Sequence, residues 1–311
     1  MKTRAAVLWG LEQKWEVEEV DLDPPGPGEV LVRLAATGLC HSDEHLVTGD
    51  LPIPLPVVGG HEGAGTVVEC GEGVEELSEG DSVILTFLPS CGRCSYCARG
   101  MGNLCELGAA LMMGPQIDGT YRFHARGEDV GQMCLLGTFS EYTVVPQASV
   151  VKIDGGIPLD RAALIGCGVT TGYGSAVRTG EVRAGDTVVV VGAGGIGMNA
   201  IQGARIAGAL AIVAVDPVKA ILSMPGCPTS AAPVAPAPVM MLTTPGGSSA
   251  CWMISANSSA VSEVVSAGLS TTVLPAASAG AIFHASINRG KFHGMTWPTT
   301  PRARGLAPRP A

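Results

Sequence analysis

The stretch Val188-Val-Val-Val191-Gly192-Ala-Gly-Gly-Ile-Gly197 decides the fold class of this 311-residue chain. A run of β-branched residues that ends in a glycine cluster is typical of a buried strand followed by a tight turn. Small residues continue from Gly195 to about Gly208 and predict a helix, and Ala211–Val215 is a second apolar run. Strand, glycine turn, helix and strand form one βαβ unit of a parallel sheet, so the chain contains an α/β domain.

The glycines match the pattern Gly-x-Gly-x-x-Gly at the point where the helix begins. The first glycine makes the turn, the second lets backbone N–H groups approach a pyrophosphate, and the third lets the helix pack close to the strand. An aspartate ends the next strand, where a carboxylate binds ribose hydroxyls and repels the 2′-phosphate of NADP. The predicted NAD-binding residues are therefore Gly192, Gly194, Gly195, Gly197 and Asp216. A glycine turn with a structural role alone is the alternative.

The chain before residue 160 has a different residue pattern, in which short apolar or alternating runs are separated by clusters of turn-forming residues. Such a pattern predicts an all-β unit, in this case a partly open barrel. A helix is predicted from Ala162 to Val177, after the last of these runs. The predicted strands cover residues 4–9, 30–36, 64–70, 82–88 and 141–151.

Four cysteines fall within 15 residues in the pattern Cys-x2-Cys-x2-Cys-x7-Cys. Four thiolates close a tetrahedron around Zn²⁺ and leave no position for water or substrate, so this spacing predicts a structural zinc site. The alternative is that these cysteines bind no metal and are unpaired or redox-active. The predicted ligands are Cys91, Cys94, Cys97 and Cys105.

A second candidate metal site is dispersed along the chain. Cys40, His61 and Cys167 each have glycine close by, and two thiolates with one imidazole leave a fourth position open for water or substrate. Asp43 and Glu62 are candidates for the carboxylates that orient a ligating histidine. Taken singly, the cysteines are better explained as buried thiols and the histidine as a turn residue, and only their joint appearance with the other motifs favours a metal site.

Composition divides the chain near residue 219. Residues 1–219 carry 14 Lys and Arg against 27 Asp and Glu, whereas residues 220–311 carry 5 against 1. The net charge of −13 in the first part argues against nucleic acid as a partner, and therefore against a nucleic-acid-binding zinc ribbon. Ala, Pro, Ser and Thr supply 48 of the last 92 residues, which are too rich in proline for long helices.

No apolar run of signal-peptide or membrane-spanning length is present in the sequence, so we expect no membrane association. Ten cysteines in a chain of this length, without a leader, favour metal binding over disulfides. These observations together predict a cytoplasmic protein.

The dispersed cysteine–histidine set, the four-cysteine cluster and the glycine-rich turn, in this order and spacing, resemble the zinc-containing medium-chain alcohol dehydrogenase family over residues 1–218. The block Asp118–Tyr142 looks like that of the actinobacterial nicotinoprotein subgroup, whose members hold NAD tightly and use a nitrosoaniline dye as artificial acceptor. The resemblance implies that Ser42 takes the proton of the alcohol and that His45 relays it. His41 stands where some relatives carry an arginine on the pyrophosphate.

The fold that the resemblance implies is α/β with a β-barrel: a GroES-like catalytic domain over residues 1–160, followed by a truncated Rossmann-type domain over 161–218. It also implies two zinc ions per chain, NAD, an alcohol or aldehyde substrate, and homo-oligomers whose interface region is missing here. Within the family, an S-(hydroxymethyl)glutathione dehydrogenase is the alternative.

The family pattern stops at Asp216-Pro217-Val218. We therefore predict that residues 219–311 are an out-of-frame or disordered tail. Two strands and a helix do not bury the core of a nucleotide domain, so a non-catalytic zinc-binding remnant is the second alternative.

Overall fold

The computed structural model describes residues 1–216 with their side chains, together with the backbone of three later strands. The first domain contains ten strands and one α-helix, α1 (His41–Thr48), which lies between the third and fourth strands. The strands are β1 (Lys2–Leu8), β2 (Glu16–Leu22), β3 (Glu29–Thr37), β4 (Val57–Val58), β5 (Gly63–Cys70), β6 (Ser82–Leu85), β7 (Phe123–Ala125), β8 (Glu128–Gln132), β9 (Tyr142–Pro146) and β10 (Val150–Lys152).

These strands form two sheets, and the predicted barrel is confirmed. One sheet closes on itself in the order β1-β2-β7-β8-β4, and the other has the order β10-β6-β5-β3-β9. Side chains that alternate inward along the strands fill the barrel, with Val7, Leu22, Phe123 and Val130 all almost completely buried. Each fully buried side chain of this size contributes roughly 1.5–3 kcal/mol, so this cluster stabilises the barrel substantially.

The βαβ unit is confirmed with nearly the predicted bounds. It consists of β11 (Thr187–Val191), a helix over Gly195–Ile206 and β12 (Ala211–Val215), and the two strands pair in parallel. The helix predicted over 162–177 is instead interrupted. Two short helices, α2 (Leu159–Ala162) and α3 (Gly168–Gly174), lie in this region. The helix of the βαβ unit is therefore numbered α4.

The interruption lies at Cys167, whose backbone (φ −138°, ψ −75°) leaves the helical region. Ala163–Gly166 forms a 3₁₀ turn before it, and Gly166 is pressed against the backbone of Leu85. The prediction of one continuous helix was wrong because this contact and a turn at Cys167 override the local preference for helix.

Three backbone segments beyond residue 219 extend the parallel pair into a five-stranded sheet. They are β13 (Val239–Leu242), β14 (Cys251–Ala256) and β15 (Ile282–Ala285), and the sheet order is β13-β12-β11-β14-β15. β13 runs parallel to β12, whereas β14 is antiparallel to β11. The rest of the predicted out-of-frame or disordered tail lies outside the described residues, and its origin stays a prediction. Within the described part of the chain, no helix has the length and apolarity needed to cross a membrane.

A buried ion pair ties the start of β3 to β7. Arg122 donates to both carboxylate oxygens of Glu29, at 2.8 and 3.1 Å, and both side chains are about nine-tenths buried. The backbone N–H of Gly26 donates to Glu29, and Asp118 accepts a further bond from Arg122. Every charged group in this contact therefore has partners that replace water.

Replacing Arg122 by Met should leave Glu29 buried without its cation. We expect the free energy of unfolding, measured by urea denaturation, to fall by about 3–5 kcal/mol. Arg4→Met is the matched control, because Arg4 pairs with Glu141 at the surface and loss of such a pair costs about 0–1 kcal/mol. Equal losses in the two variants would contradict the importance of the buried pair.

Candidate metal and dinucleotide sites

The four-cysteine cluster lies in an exposed lobe between β6 and β7. Two 3₁₀ turns, Cys97–Arg99 and Gly102–Leu104, fold the lobe so that the four sulfur atoms lie within 4.8 Å of one another. Two of the sulfur–sulfur distances, Cys91 to Cys97 and Cys94 to Cys105, are 4.0 Å. This agrees with the edge of about 3.8 Å for a tetrahedron with zinc–sulfur bonds of ~2.3 Å.

Backbone N–H groups support these sulfur atoms as thiolates. Cys94 N–H donates to Cys91 Sγ at 3.4 Å, Cys97 N–H to Cys94 Sγ at 3.5 Å, and Cys91 N–H to Cys105 Sγ at 3.4 Å. The bond from Cys97 is the main reason that the pKa of the Cys94 thiol is lowered to about 6. The donor set and its spacing therefore fit a structural zinc ion.

The dispersed residues Cys40, His61 and Cys167 come together in the structure. Cys40 directly precedes α1, His61 lies just before β5, and Cys167 is the residue at which the helical segment breaks before α3. One ligand atom from each, together with a carboxylate oxygen of Glu62, lies within 4.8 Å of the others. Two sulfurs, one nitrogen and one oxygen in a largely buried site are a donor set that zinc prefers.

Asp43 has the orienting role that the sequence predicted for it. Its Oδ1 lies 3.2 Å from His61 Nδ1, and its Oδ2 accepts a 2.8 Å bond from the backbone N–H of Cys40. Burial pushes the pKa of His61 down, but the hydrogen bonds and charges of Asp43 and Cys40 outweigh it and raise that pKa to about 9. Because Nδ1 faces Asp43, Nε2 is the nitrogen left for a metal.

Glu62 lies among the ligand atoms, and this differs from its predicted role as a carboxylate that orients the histidine. Burial and the neighbouring charge of Cys40 raise the pKa of its carboxyl group. The neighbouring sulfur of Cys167 is the main cause that lowers the pKa of Cys40 to about 3, and the same proximity raises the pKa of Cys167. Burial and the charge of Cys40 disfavour the ionised forms of Glu62 and Cys167, and a cation bound between these groups would offset that penalty.

The predicted proton-relay residues lie on one face of α1. Ser42 Oγ is 3.6 Å from Cys40 Sγ, and His45 follows one turn later. His45 Nδ1 lies 3.4 Å from Asp50 Oδ2, and the side chain of Asp50 is 65% exposed. The helix thus leads from the buried metal cluster to the solvent. Phe87, which the sequence did not single out, stands edge-on to the His61 ring with centroids 5.8 Å apart.

The glycine-rich turn has the geometry expected of a pyrophosphate cradle. Gly192 has φ +93°, which favours glycine, and Gly194 caps the first turn of α4. A Cβ atom added at Gly194 or Gly195 would meet no atom of the described residues within 4 Å, so this part of the chain leaves the space above the helix N-terminus open. Asp216 is buried at the end of β12 and accepts a 2.7 Å bond from Ala193 N–H. The predicted NAD-binding residues therefore meet at one edge of the sheet.

Helix α3 connects the metal cluster to this cradle. It begins after Cys167 and packs on α4 through Gly172, where an added Cβ would lie 2.4 Å from Ile196 O and 2.5 Å from Asn199 Cβ. Only glycine allows this approach. The position of the metal ligand is consequently coupled to the helix that opens the dinucleotide site.

Gly172→Ala should push the two helices apart. We expect a loss of about 1–3 kcal/mol in the free energy of unfolding and weaker NAD binding, measured by urea denaturation and calorimetry. Gly174→Ala is the matched control, because Gly174 is also helical and a Cβ there meets nothing within 4 Å. That variant should bind NAD like the wild type, and a similar loss in both would refute the coupling.

Comparison with known proteins agrees with this geometry. The alcohol dehydrogenase GroES-like domain family matches residues 26–155. Alcohol dehydrogenase B of Mycobacterium tuberculosis is 55% identical over 221 residues, and the NDMA-dependent alcohol dehydrogenase of Amycolatopsis methanolica is 55% identical over 218 residues. Each match covers 70% of this chain and 59% of the relative, so the chain spans about three fifths of the length of these curated relatives.

Solved structures give the same result. An alcohol dehydrogenase zinc-binding domain protein from Burkholderia ambifaria superposes with a TM-score of 0.67 at 37% identity, covering 72% of this chain and 61% of that one. Benzyl alcohol dehydrogenase from Acinetobacter calcoaceticus superposes with a TM-score of 0.68 at 29% identity, covering 78% and 64%. Residues 26–155 therefore carry an alcohol dehydrogenase GroES-like domain, and over the part that these comparisons cover the chain is similar in sequence and fold to zinc-binding alcohol dehydrogenases.

Proposed function

We propose that this chain is a zinc- and NAD-dependent alcohol dehydrogenase that transfers hydride from an alcohol to the nicotinamide ring. The observation that carries the proposal is the convergence of Cys40, His61 and Cys167 in one chain with an open glycine-rich helix N-terminus. The names of the relatives support the same reaction class. Because the chain spans only part of the length of these relatives, their activity is proposed for this chain and is not transferred from their names.

The donor set supports a zinc ion held by Cys40, His61 and Cys167, with Glu62 beside them. When bound there, zinc supplies a Lewis acid that lowers the pKa of an alcohol oxygen. The protein residues keep the site ready for this chemistry: Asp43 fixes the tautomer and orientation of His61, and burial excludes water. The lobe of Cys91, Cys94, Cys97 and Cys105 would hold a second zinc ion with a structural role.

The residues of α1 supply a route for the proton. Ser42, next to Cys40, is placed to accept the hydroxyl proton of the alcohol, and its own proton moves outward. His45 is half-buried and faces the exposed Asp50, so a proton that reaches the imidazole is released to solvent. Proton transfer through positioned groups of this kind contributes typically 10²–10⁴-fold to a rate.

The cradle formed by Gly192, Gly194, Gly195 and Gly197 supports NAD as the cofactor. The N–H groups at the start of α4 suit a pyrophosphate, and the carboxylate of Asp216 disfavours the 2′-phosphate of NADP. The 55% identity to an NDMA-dependent alcohol dehydrogenase favours a second form of the proposal, in which NAD stays bound and electrons leave to another acceptor.

We propose a small alcohol or aldehyde as the substrate. The net charge of −9 supports the absence of nucleic-acid partners, and the cytoplasm is proposed because the metal-ligand spacing of the cysteines suits a reducing compartment. Homo-oligomers are proposed from the family resemblance.

The proposal is tested with the purified full chain and a series of primary alcohols. We measure zinc content, bound NAD, NADH formation and reduction of a nitrosoaniline dye. The expected result is two zinc ions per chain and alcohol-dependent turnover. Ser42→Ala should lower kcat by about 10²–10⁴-fold with unchanged zinc content, because the hydroxyl is lost from the relay. Ser42→Thr, which keeps the hydroxyl, should retain most of the activity.

Two results would contradict the proposal. Turnover only with formaldehyde and glutathione together would favour an S-(hydroxymethyl)glutathione dehydrogenase. No turnover by any acceptor at full zinc occupancy would favour a non-catalytic zinc-binding remnant.

A further inference from the structure

The backbone carbonyl of Glu62 is the point where three hydrogen-bond donors converge. Thr37 Oγ1 lies 2.7 Å from this oxygen, Gly38 N–H donates to it at 3.1 Å, and Thr138 Oγ1 lies at 3.2 Å. The two threonine hydroxyls are 2.9 Å from each other. This carbonyl belongs to the residue that follows His61, so the contact holds the chain directly beside the metal cluster.

A second set of bonds ties the other end of the same segment. The N–H groups of Thr138 and Phe139 donate to the carbonyls of Gly60 and Gly59, at 3.1 and 2.9 Å. Gly60 has φ +85°, and an added Cβ would lie 2.5 Å from Thr138 Oγ1. Residues 59–62 are therefore held at both ends by the chain at 138–139, which is distant in sequence.

The segment that carries Thr138 is itself firmly held. Cys134 and Leu135 have positive φ values of 54° and 64°, a conformation that costs energy for residues other than glycine. Gln132 donates to Leu136 O at 3.2 Å and Val144 O at 3.0 Å, and Gln116 donates to Leu135 O at 3.0 Å. This buried network fixes the turn, so Thr138, which is fully buried, is a rigid support and not an adaptable one.

We propose that Thr138, together with Thr37, is a positioning residue of the proposed catalytic metal centre. The two hydroxyls fix the peptide plane between Glu62 and Gly63, and together with the bonds to Gly59 and Gly60 this fixes the direction in which the His61 and Glu62 side chains meet Cys40 and Cys167. Neither threonine touches a ligand atom, so their effect passes through the backbone. The inference rests on the proposed function to the extent that a metal binds at this cluster.

The prediction is tested by titrating Co²⁺ into the full chain with the structural site loaded with zinc. Thr138→Val keeps the shape of the side chain and removes the hydroxyl, and we expect Co²⁺ affinity at the cysteine–histidine site to fall about 10–100-fold, as for other outer contacts of metal sites. The d–d absorption bands of the bound cobalt should shift, because the ligand directions change. Thr138→Ser, which keeps the hydroxyl, should restore both the affinity and the spectrum.

Thr3→Val is the matched control. Thr3 is buried and its hydroxyl has no hydrogen-bond partner among the described residues, so its loss should leave Co²⁺ affinity and spectrum unchanged. Zinc retained at the four-cysteine lobe reports that each variant is folded. Thr37→Val provides a second variant at the surface end of β3 and should weaken Co²⁺ binding in the same direction.

Wild-type affinity and spectrum in both Thr138→Val and Thr37→Val would overturn the inference. If Thr138→Val fails to fold, Thr37→Val and Thr138→Ser decide the question: weaker binding in the first with wild-type binding in the second supports it, and any other pair of results overturns it. If the wild-type chain binds metal only at the four-cysteine lobe, the proposed function and the inference fail together. Normal wild-type binding with unaffected variants removes the inference alone.

Discussion

Two thiolates, an imidazole and a carboxylate approach within 4.8 Å of one another in a largely buried site formed by three distant segments of the chain. Such a cluster is costly without a cation, because buried like charges repel each other and have lost their hydration. The architecture around it holds each segment separately. The first turn of α1 fixes Cys40 through Asp43, the 138–139 segment holds residues 59–62, and α3 carries Cys167.

The sheet that contains β3 and β5 supports this arrangement at its strand ends. β3 and β5 pair along most of their length, and they bring Thr37 and Gly63 side by side, directly next to the residues that hold the metal cluster. The buried Glu29–Arg122 pair anchors the opposite end of β3. On the other side, the close contact at Gly172 transmits the position of α3 to α4, and α4 opens the dinucleotide cradle. The two candidate cofactor sites are therefore linked through one short helix.

Much of this was predictable from sequence where the signal is local. The two apolar runs predicted β11 and β12 with nearly their observed bounds, and the glycine pattern between them placed the start of α4 at Gly195. The cysteine spacing predicted the lobe, because four ligands within 15 residues leave few other arrangements. Cys40, His61 and Cys167 came from the order of the motifs and the family resemblance, since no local pattern joins residues so far apart.

What the sequence did not predict depends on contacts between distant segments. Glu62 lies among the ligand atoms because the turn at 59–62 directs it inward, and Thr138 reaches this turn across 76 positions. The helical segment is interrupted at Cys167 because Gly166 packs against the backbone of Leu85. Helix propensity does not reflect such a contact between distant segments. The strands β13 to β15 pair at the edges of a sheet whose central strands are strongly apolar, although their own segment has a composition that predicts no regular structure.

The central claim is that this chain builds two chemically different zinc sites. X-ray absorption at the zinc edge, combined with the metal content of the purified full chain, measures it directly. The account predicts two zinc ions per chain and an average of about three sulfur neighbours per zinc at ~2.3 Å, because one site has four thiolates and the other has two. One zinc ion per chain with four sulfur neighbours would contradict it.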